Sequence, residues 1–307
     1  MGLNRRRVVQ LGTAATVGTL LPRVAIAAAD RNEAFEQEFS KTLDHLRTTF
    51  SDLGFSEVAP LSIAADHLST TFSEIGVNEV APRTITSGRD EYNGGLRHDF
   101  DQSTLPSNAF VIQPLARVAD VDEKSRADVL PLFHEVGCHP ADADGQATTR
   151  LMMHILTEVF DLNPSRIAFV SVPQADNIRP VLDEIGLPFS EKVLLRDETE
   201  ALAARDASGF FFPDPFGNDY IVTMGVYYRV GDTDEPVPTA YPPSANWTEI
   251  GEIVIGGEAA PLGISIGAER LTYALTGQYP IWKQRLGLLF ATAAQDGAEP
   301  PGLAAFR

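Results

Sequence analysis

A chain of 307 residues, 44% of them hydrophobic, has enough apolar side chain for one large core or two small ones and is not the composition of a disordered segment. Its formal net charge of −18, with only four lysines among 24 basic residues, opposes binding to a phosphate backbone unless a local basic patch exists, and none is seen after the N-terminus. The single cysteine, Cys138, excludes an internal disulfide and a Cys-rich metal site.

The N-terminal residues read as a targeting segment. Arg5-Arg6-Arg7 gives a basic start, Leu11 to Leu21 is a short apolar run, and Ala25-Ile26-Ala27 precedes a small-residue cleavage site near Ala28 to Asp30. The paired arginines resemble a twin-arginine export signal. Residues 1–29 are therefore expected to be removed, leaving 30–307 as one domain; a cytoplasmic extension is the alternative. The apolar run is too short and too rich in Gly and Thr to span a bilayer, and no later stretch suits one.

Phe35, Phe39, Leu43, Leu46, Phe50 and Leu53 recur at helical spacing, which predicts one amphipathic helix over 32–53, ended by Gly54. Leu46–Ile63 then returns as Leu68–Ile85 with a period of 22 residues, a duplicated helix–turn–strand unit. Ala109–Val118 reads as a strand whose Pro114 argues for an edge or a bulge, and Asp128–Val136 as its hairpin partner. Ala147–Phe160 is an amphipathic helix, followed by a buried strand at Ile167–Val172, a helix at Asp176–Ile185 and a strand at Lys192–Leu195. Tyr220–Tyr228 and Trp247–Ile255 are strands on either side of an acidic, Pro-rich loop. Leu262–Ala274 is a strand running through Gly267 into a helix, expected to close the sheet, and Ile281–Phe290 is a last helix. Connections are mostly hairpins, so the expected class is α+β: a largely antiparallel sheet flanked by helices.

Several stretches carry candidate chemistry. Glu269 and Arg270 fall in the first turn of a helix leaving a strand end. The glycines before them let a flat ligand approach the backbone, and Arg270 offers a planar fork of donors for phosphate. Arg117, at the end of the first hairpin strand, is a second such cation, with Phe133-His134-Glu135 on the return strand. His134-Glu135-Val136-Gly137-Cys138-His139 misses the zincin spacing, and on a strand its two histidines point to opposite faces, so no metal site is expected. There is no nucleophile elbow and no P-loop.

From Phe110 to Trp282 the order of these elements resembles the catalytic domain of alanyl-tRNA synthetase, a class II aminoacyl-tRNA synthetase. Arg117 with Phe133-His134-Glu135 is similar to motif 2 of the class, and Gly267-Ala268-Glu269-Arg270-Leu271 to motif 3. Ile155–Leu162 with Ile167–Val172, Glu184–Pro188, Tyr227–Asp232 and Glu249–Val254 follow in that family's order. The resemblance implies activation of an amino acid or other small carboxylate by ATP, with Mg²⁺, to an acyl-adenylate. Arg117 and Arg270 would hold the phosphates, and Phe133 or His134 would flank adenine, with Glu135, Gly267 and Glu269 in the nucleotide site. Gly263 stands where the family's aspartate holds the amino group of alanine, and Gly225 where another acid stands. Trp247, Glu249 and Gly263 are the substrate-side candidates. Glu249 and Glu252 are an odd number of positions apart, so in a regular strand only one faces the pocket; Glu249 is expected, sharing its face with Trp247. Alanine is then a poor ligand. Small molecules rather than tRNA are expected as partners, because the surface is acidic and the family's tRNA-binding and editing domains have no counterpart here; a homodimer is among the expected assemblies. A binding protein that keeps the pocket but not the reaction is the alternative reading.

Overall fold

The computed structural model describes residues 21–57, 86–87, 108–116, 132–140, 144–204, 208–211, 220–232, 234–256 and 263–278. The first 20 residues of the expected targeting segment, the second copy of the 22-residue repeat, Arg117 and the expected last helix lie outside them.

The first helix, α1 (Leu21–Asp52), begins earlier than its periodicity predicts, inside the stretch expected to be a leader. Phe35, Phe39, Leu46 and Phe50 are buried along one stripe. Gly54 follows at φ +84°, a left-handed conformation in which a side chain would be strained, and Phe55 N–H closes the turn on Phe50 O at 2.8 Å. The chain then enters β1 (Ser56–Glu57), and an isolated pair of residues forms β2 (Thr86–Ser87).

β3 (Ala109–Ala116) and β4 (Leu132–His139) form the expected antiparallel hairpin. Pro114 causes no bulge in that ladder, where it faces His134. On the other side of β3, β1 and β2 pair only at residues 109–110 and 115–116, so Pro114 sits where no donor is needed by them. α2 (Gly145–Met153) starts two residues before the predicted helix because Asp144 caps it, accepting from Ala147 N–H at 2.8 Å. It widens into a π-turn over His154–Val159. β5 (Ile167–Ser171) follows, buried throughout, then a 3₁₀ turn leading into α3 (Arg179–Glu184), a single turn α4 (Phe189–Lys192), and β6 (Val193–Leu195). α5 (Glu198–Ala204), which the sequence reading does not foresee, precedes β7 (Phe210–Phe211), β8 (Ile221–Arg229) and β9 (Trp247–Gly256). β10 (Ile264–Gly267) runs directly into α6 (Ala268–Thr276), ended by Gly277 at φ +68°.

The strands form one sheet in the order β1-β3-β4-β10-β9-β8-β5-β6, with β2 also on β3 and β7 on β8. The β1–β3, β2–β3 and β5–β6 pairs are parallel and the others antiparallel. The architecture is thus the α+β class that the pattern of elements implies. The expectation that the last strand closes the sheet is corrected: β10 is inserted between β4 and β9, in the interior. An interior strand must pair on both sides, and its short run Ile264-Ser265-Ile266 does so.

One face of the sheet carries the core. Val136, Cys138, Ile253, Ile264, Ile266, Met224, Val226, Ile167 and Phe169 pack there with apolar residues of α1, α2, α3 and α6. The other face carries Phe133, Glu135, Ser265, Gly267, Glu252 and Gly225, as the registers require. Gly251 marks a close approach of α2 to the sheet. A Cβ there would overlap the carbonyl of Ser265 and come within 2.7 Å of Met152 Cε. Gly251→Ala is expected to destabilise the fold by about 1–3 kcal/mol through overpacking, measured as a lower urea midpoint at unchanged m-value.

Candidate functional site

The pocket lies on the face opposite the helices, lined by Phe133 and Glu135 of β4, Glu249 to Glu252 of β9, Ser265 and Gly267 of β10, and Glu269 and Arg270 of α6. Its cavity volume is about 60 Å³, within some 520 Å³ of atom-free space that includes open solvent. These residues come from three segments remote in sequence. They meet because β10 is wedged between β4 and β9 and hands the chain to α6 at the pocket's rim.

The parity argument that admits only one of Glu249 and Glu252 is corrected by the register. Val226 pairs with Gly251 but Tyr227 pairs with Glu249, so β9 contains one extra residue at Ile250. This β-bulge turns Ile250 into the core with Gly251 and shifts the alternation of the residues beyond it by one. Glu249 and Glu252 therefore both face the pocket. Trp247 shares the face of Glu249, as expected, but does not line the pocket: it packs with Ala168, Val170 and Tyr227.

Alternation along β4 separates Phe133 from His134. Phe133 faces the pocket, whereas His134 turns to the helix side, its ring 5.2 Å from that of Phe39. Of the two aromatic candidates for flanking a ligand ring, His134 is thereby corrected to a structural residue. Its partner is Glu269, which is fully buried. The main-chain N–H of His134 donates to Glu269 Oε2 at 2.8 Å, and its Nδ1 lies 2.9 Å from Oε1. Glu269 also sits in the first turn of α6, where the helix dipole favours a carboxylate. The pair ties the start of α6 to β4, which fixes where Arg270 leaves the helix.

Arg270 donates from one terminal nitrogen to Glu249 Oε2 at 3.2 Å and to Glu249 O at 3.3 Å. Both side chains are about a quarter exposed, 24% and 23%. Glu249 Oε1 accepts from the Ser208 hydroxyl at 2.9 Å, and Ser208 Oγ lies 2.9 Å from Tyr227 OH. Burial, and next Glu249, push the Tyr227 phenol well above its usual range, so it keeps its proton and donates. Glu252 accepts from Ser208 N–H at 3.1 Å and from the Thr223 hydroxyl. Desolvation, reinforced by Glu249, raises its carboxyl to about 7.

Gly225 and Gly263, where the resembled family carries acids, are not equivalent here. A Cβ on Gly225 would overlap Ser208 Oγ and come within 3.0 Å of Glu249 Oε1, so a hydroxyl from another segment occupies that space. Gly263 is buried at the entrance to β10, where its carbonyl accepts from Val254 N–H at 2.9 Å, and it does not line the pocket. Ser208 is the residue that sequence reasoning missed; nothing in its local pattern marks it. Cys138 faces the core, where burial pushes its thiol up, and among the described residues no group of three or more His, Cys, Asp and Glu could hold a metal ion. Nor is any described helix long and apolar enough to cross a membrane.

No protein-family model matches the sequence, and no curated protein matches it. Among solved structures, the chain is similar to asparaginyl-tRNA synthetase from Pyrococcus horikoshii, with 10% identity over 80% of this chain and 64% of that one and a TM-score of 0.41. It is also similar to the Entamoeba histolytica asparaginyl-tRNA synthetase in complex with asparaginyl-adenylate (13% identity, 87% and 69% covered, TM-score 0.45). A third is histidyl-tRNA synthetase from S. aureus in its apo form (10% identity, 86% and 80% covered, TM-score 0.40). The chain spans just under two-thirds of the first of these. Likenesses of this size carry no argument about activity, and none of the three is an alanyl enzyme.

Glu252 sets a pH dependence whose sign follows from its raised value. The unfolded chain ionises near 4.5 and the folded chain near about 7, so its contribution to stability is complete below 4.5 and is lost as pH rises through 7. Glu252→Gln is expected to gain on the order of 1–2 kcal/mol over the parent at pH 8 and little at pH 4.5, by urea denaturation across that range.

Proposed function

We propose that the protein binds a nucleotide triphosphate and a small carboxylate in this pocket, in the manner of a class II aminoacyl-tRNA synthetase core, and joins them to an acyl-adenylate. The observation that carries the reading is the convergence on one pocket of Phe133 and Arg270, from the segments that resemble motifs 2 and 3, with the two glutamates of β9. Phe133 offers a face for a purine ring, and Arg270 a fork of donors for phosphate. The Arg270–Glu249 pair is partly exposed and so is worth about 0–1 kcal/mol, little enough for a phosphate to recruit the arginine. Such chemistry needs positioning and charge stabilisation, not a protein nucleophile. Arg117, proposed as the second cation, lies outside the described residues.

Mg²⁺ does not find a protein cage among the described residues. By the resemblance it would accompany the nucleotide, and no step depends on where it sits. Alanine fits this reading poorly, because Gly263 provides no carboxylate. The ligand's carboxylate must also share the pocket with Glu135, Glu249 and Glu252, whose charges oppose it unless a cation accompanies it. We propose small-molecule partners rather than tRNA, and export by the twin-arginine route, on the N-terminal sequence alone.

A second reading has its own observation. The Ser208 hydroxyl fills the space beside Gly225 where the resembled family has an acid, which suits a binding protein that keeps the pocket and has given up the reaction. Amino-acid-dependent exchange of pyrophosphate into ATP separates the two: exchange supports the enzyme, whereas ATP binding without exchange for any of the common amino acids supports the binder. In either case Arg270→Ala is expected to weaken ATP binding by about 2–4 kcal/mol in calorimetry. No ATP binding by the unaltered protein would sink both.

A further inference from the structure

Ser208 has every polar group engaged while only 1% of its surface is exposed. Its N–H donates to Glu252 Oε1, its hydroxyl donates to Glu249 Oε1, its Oγ accepts from the Tyr227 phenol, and its carbonyl accepts from Arg196 Nη1 at 3.2 Å. Arg196 is itself buried, its guanidinium stacked 3.7 Å from the centre of the Tyr241 ring. The direction of the chain is fixed. Glu249 can only accept, so the one hydroxyl proton of Ser208 goes to it, and the lone pairs that remain take the proton of Tyr227. Beyond Glu249 the same chain reaches Arg270.

Two further features show that the place is made for a serine. Its φ is +64°, a backbone region that glycine adopts freely and serine does not. Residues held this way cluster where the surrounding contacts, not the backbone, choose the side chain. Across the sheet, Gly225 leaves the room that the hydroxyl fills; any side chain there would overlap Oγ.

We infer that Ser208 is a positioning residue of the pocket: its hydroxyl holds the Glu249 carboxylate and, through it, aims the Arg270 guanidinium, while its N–H holds Glu252 beside them. The inference rests on the reading of Arg270 as the contact for the ligand's phosphate. A loop residue whose bonds merely stabilise the fold would bring the stability down when altered and leave the guanidinium as it was.

The test uses the full chain and the variant Ser208→Gly, which removes the hydroxyl, keeps both backbone bonds and suits the positive φ. Three quantities are read: the melting temperature, the rate at which the Arg270 guanidinium protons exchange with water by NMR, and the affinity for ATP by calorimetry. The expected result is exchange faster and ATP bound more weakly, each by about tenfold, the size of one hydrogen bond to a charged group, in a protein whose melting temperature shows it to be folded. Unaltered exchange at Arg270 in a folded Ser208→Gly protein overturns the inference. If the unaltered protein binds no ATP, the nucleotide reading fails, and the exchange rate alone still decides the positioning. Ser208→Ala is the second variant should the first not fold, judged by the same exchange rate.

Discussion

Of the two register shifts in β9, at Ile250 and at Ile255, the one at Ile250 governs the pocket. Strands alternate with a period of two, so the core face and the open face of β9 would each keep their own residues from Trp247 to Gly256. The bulge at Ile250 interrupts this. Ile250 and Gly251 both turn to the core, and the glutamates on either side both turn to the open face. The fold accommodates the two core-facing residues because Gly251 has no side chain, which lets Met152 of α2 come against the strand. Without the bulge, either Glu249 would leave Arg270 or Glu252 would enter an apolar core, where an ionised carboxylate is very costly.

The charges of the site follow from that arrangement. Among the described residues lining the pocket there are four carboxylates and one guanidinium. Glu269 is withdrawn from the balance by full burial against His134 and serves to fix α6. Glu249 is shared between Arg270 and Ser208. Among the described residues Glu252 has two hydrogen-bond donors and no cation in contact, and its raised value is the expected consequence of burial beside a second carboxylate. Glu252 sits near the boundary between its protonated and ionised forms at neutral pH, so a ligand that brings positive charge near it gains from its ionisation.

Much of this was legible in the chain. The helical stripe of α1 and its glycine stop, the hairpin, the antiparallel character of the sheet and the strand-to-helix turn at Gly267 are all local patterns, and local patterns are what periodicity and turn chemistry reveal. The faces of Phe133 and His134 follow from alternation once β4 is placed. What escaped was non-local. The position of β10 inside the sheet depends on which strands accept it as a neighbour, and a four-residue strand carries no mark of that. The bulge at Ile250 is invisible in a sequence that alternates well enough on either side, so the parity argument chose between two glutamates that in fact act together. Ser208 reaches the site from a segment remote in sequence from Glu249, and Gly225 could be read as a lost acid but not as room for a hydroxyl.

The central claim is that a ligand occupies the open face between Phe133 and Arg270, with both glutamates of β9 beside it. A crystal structure of the full chain with a non-hydrolysable ATP analogue tests this most directly. The account predicts the adenine against the Phe133 ring, a phosphate on the Arg270 guanidinium, and Glu249 and Glu252 on the same face of β9. Analogue bound on the helix-covered side, or a regular β9 with Glu252 and Glu249 on opposite faces, would contradict it.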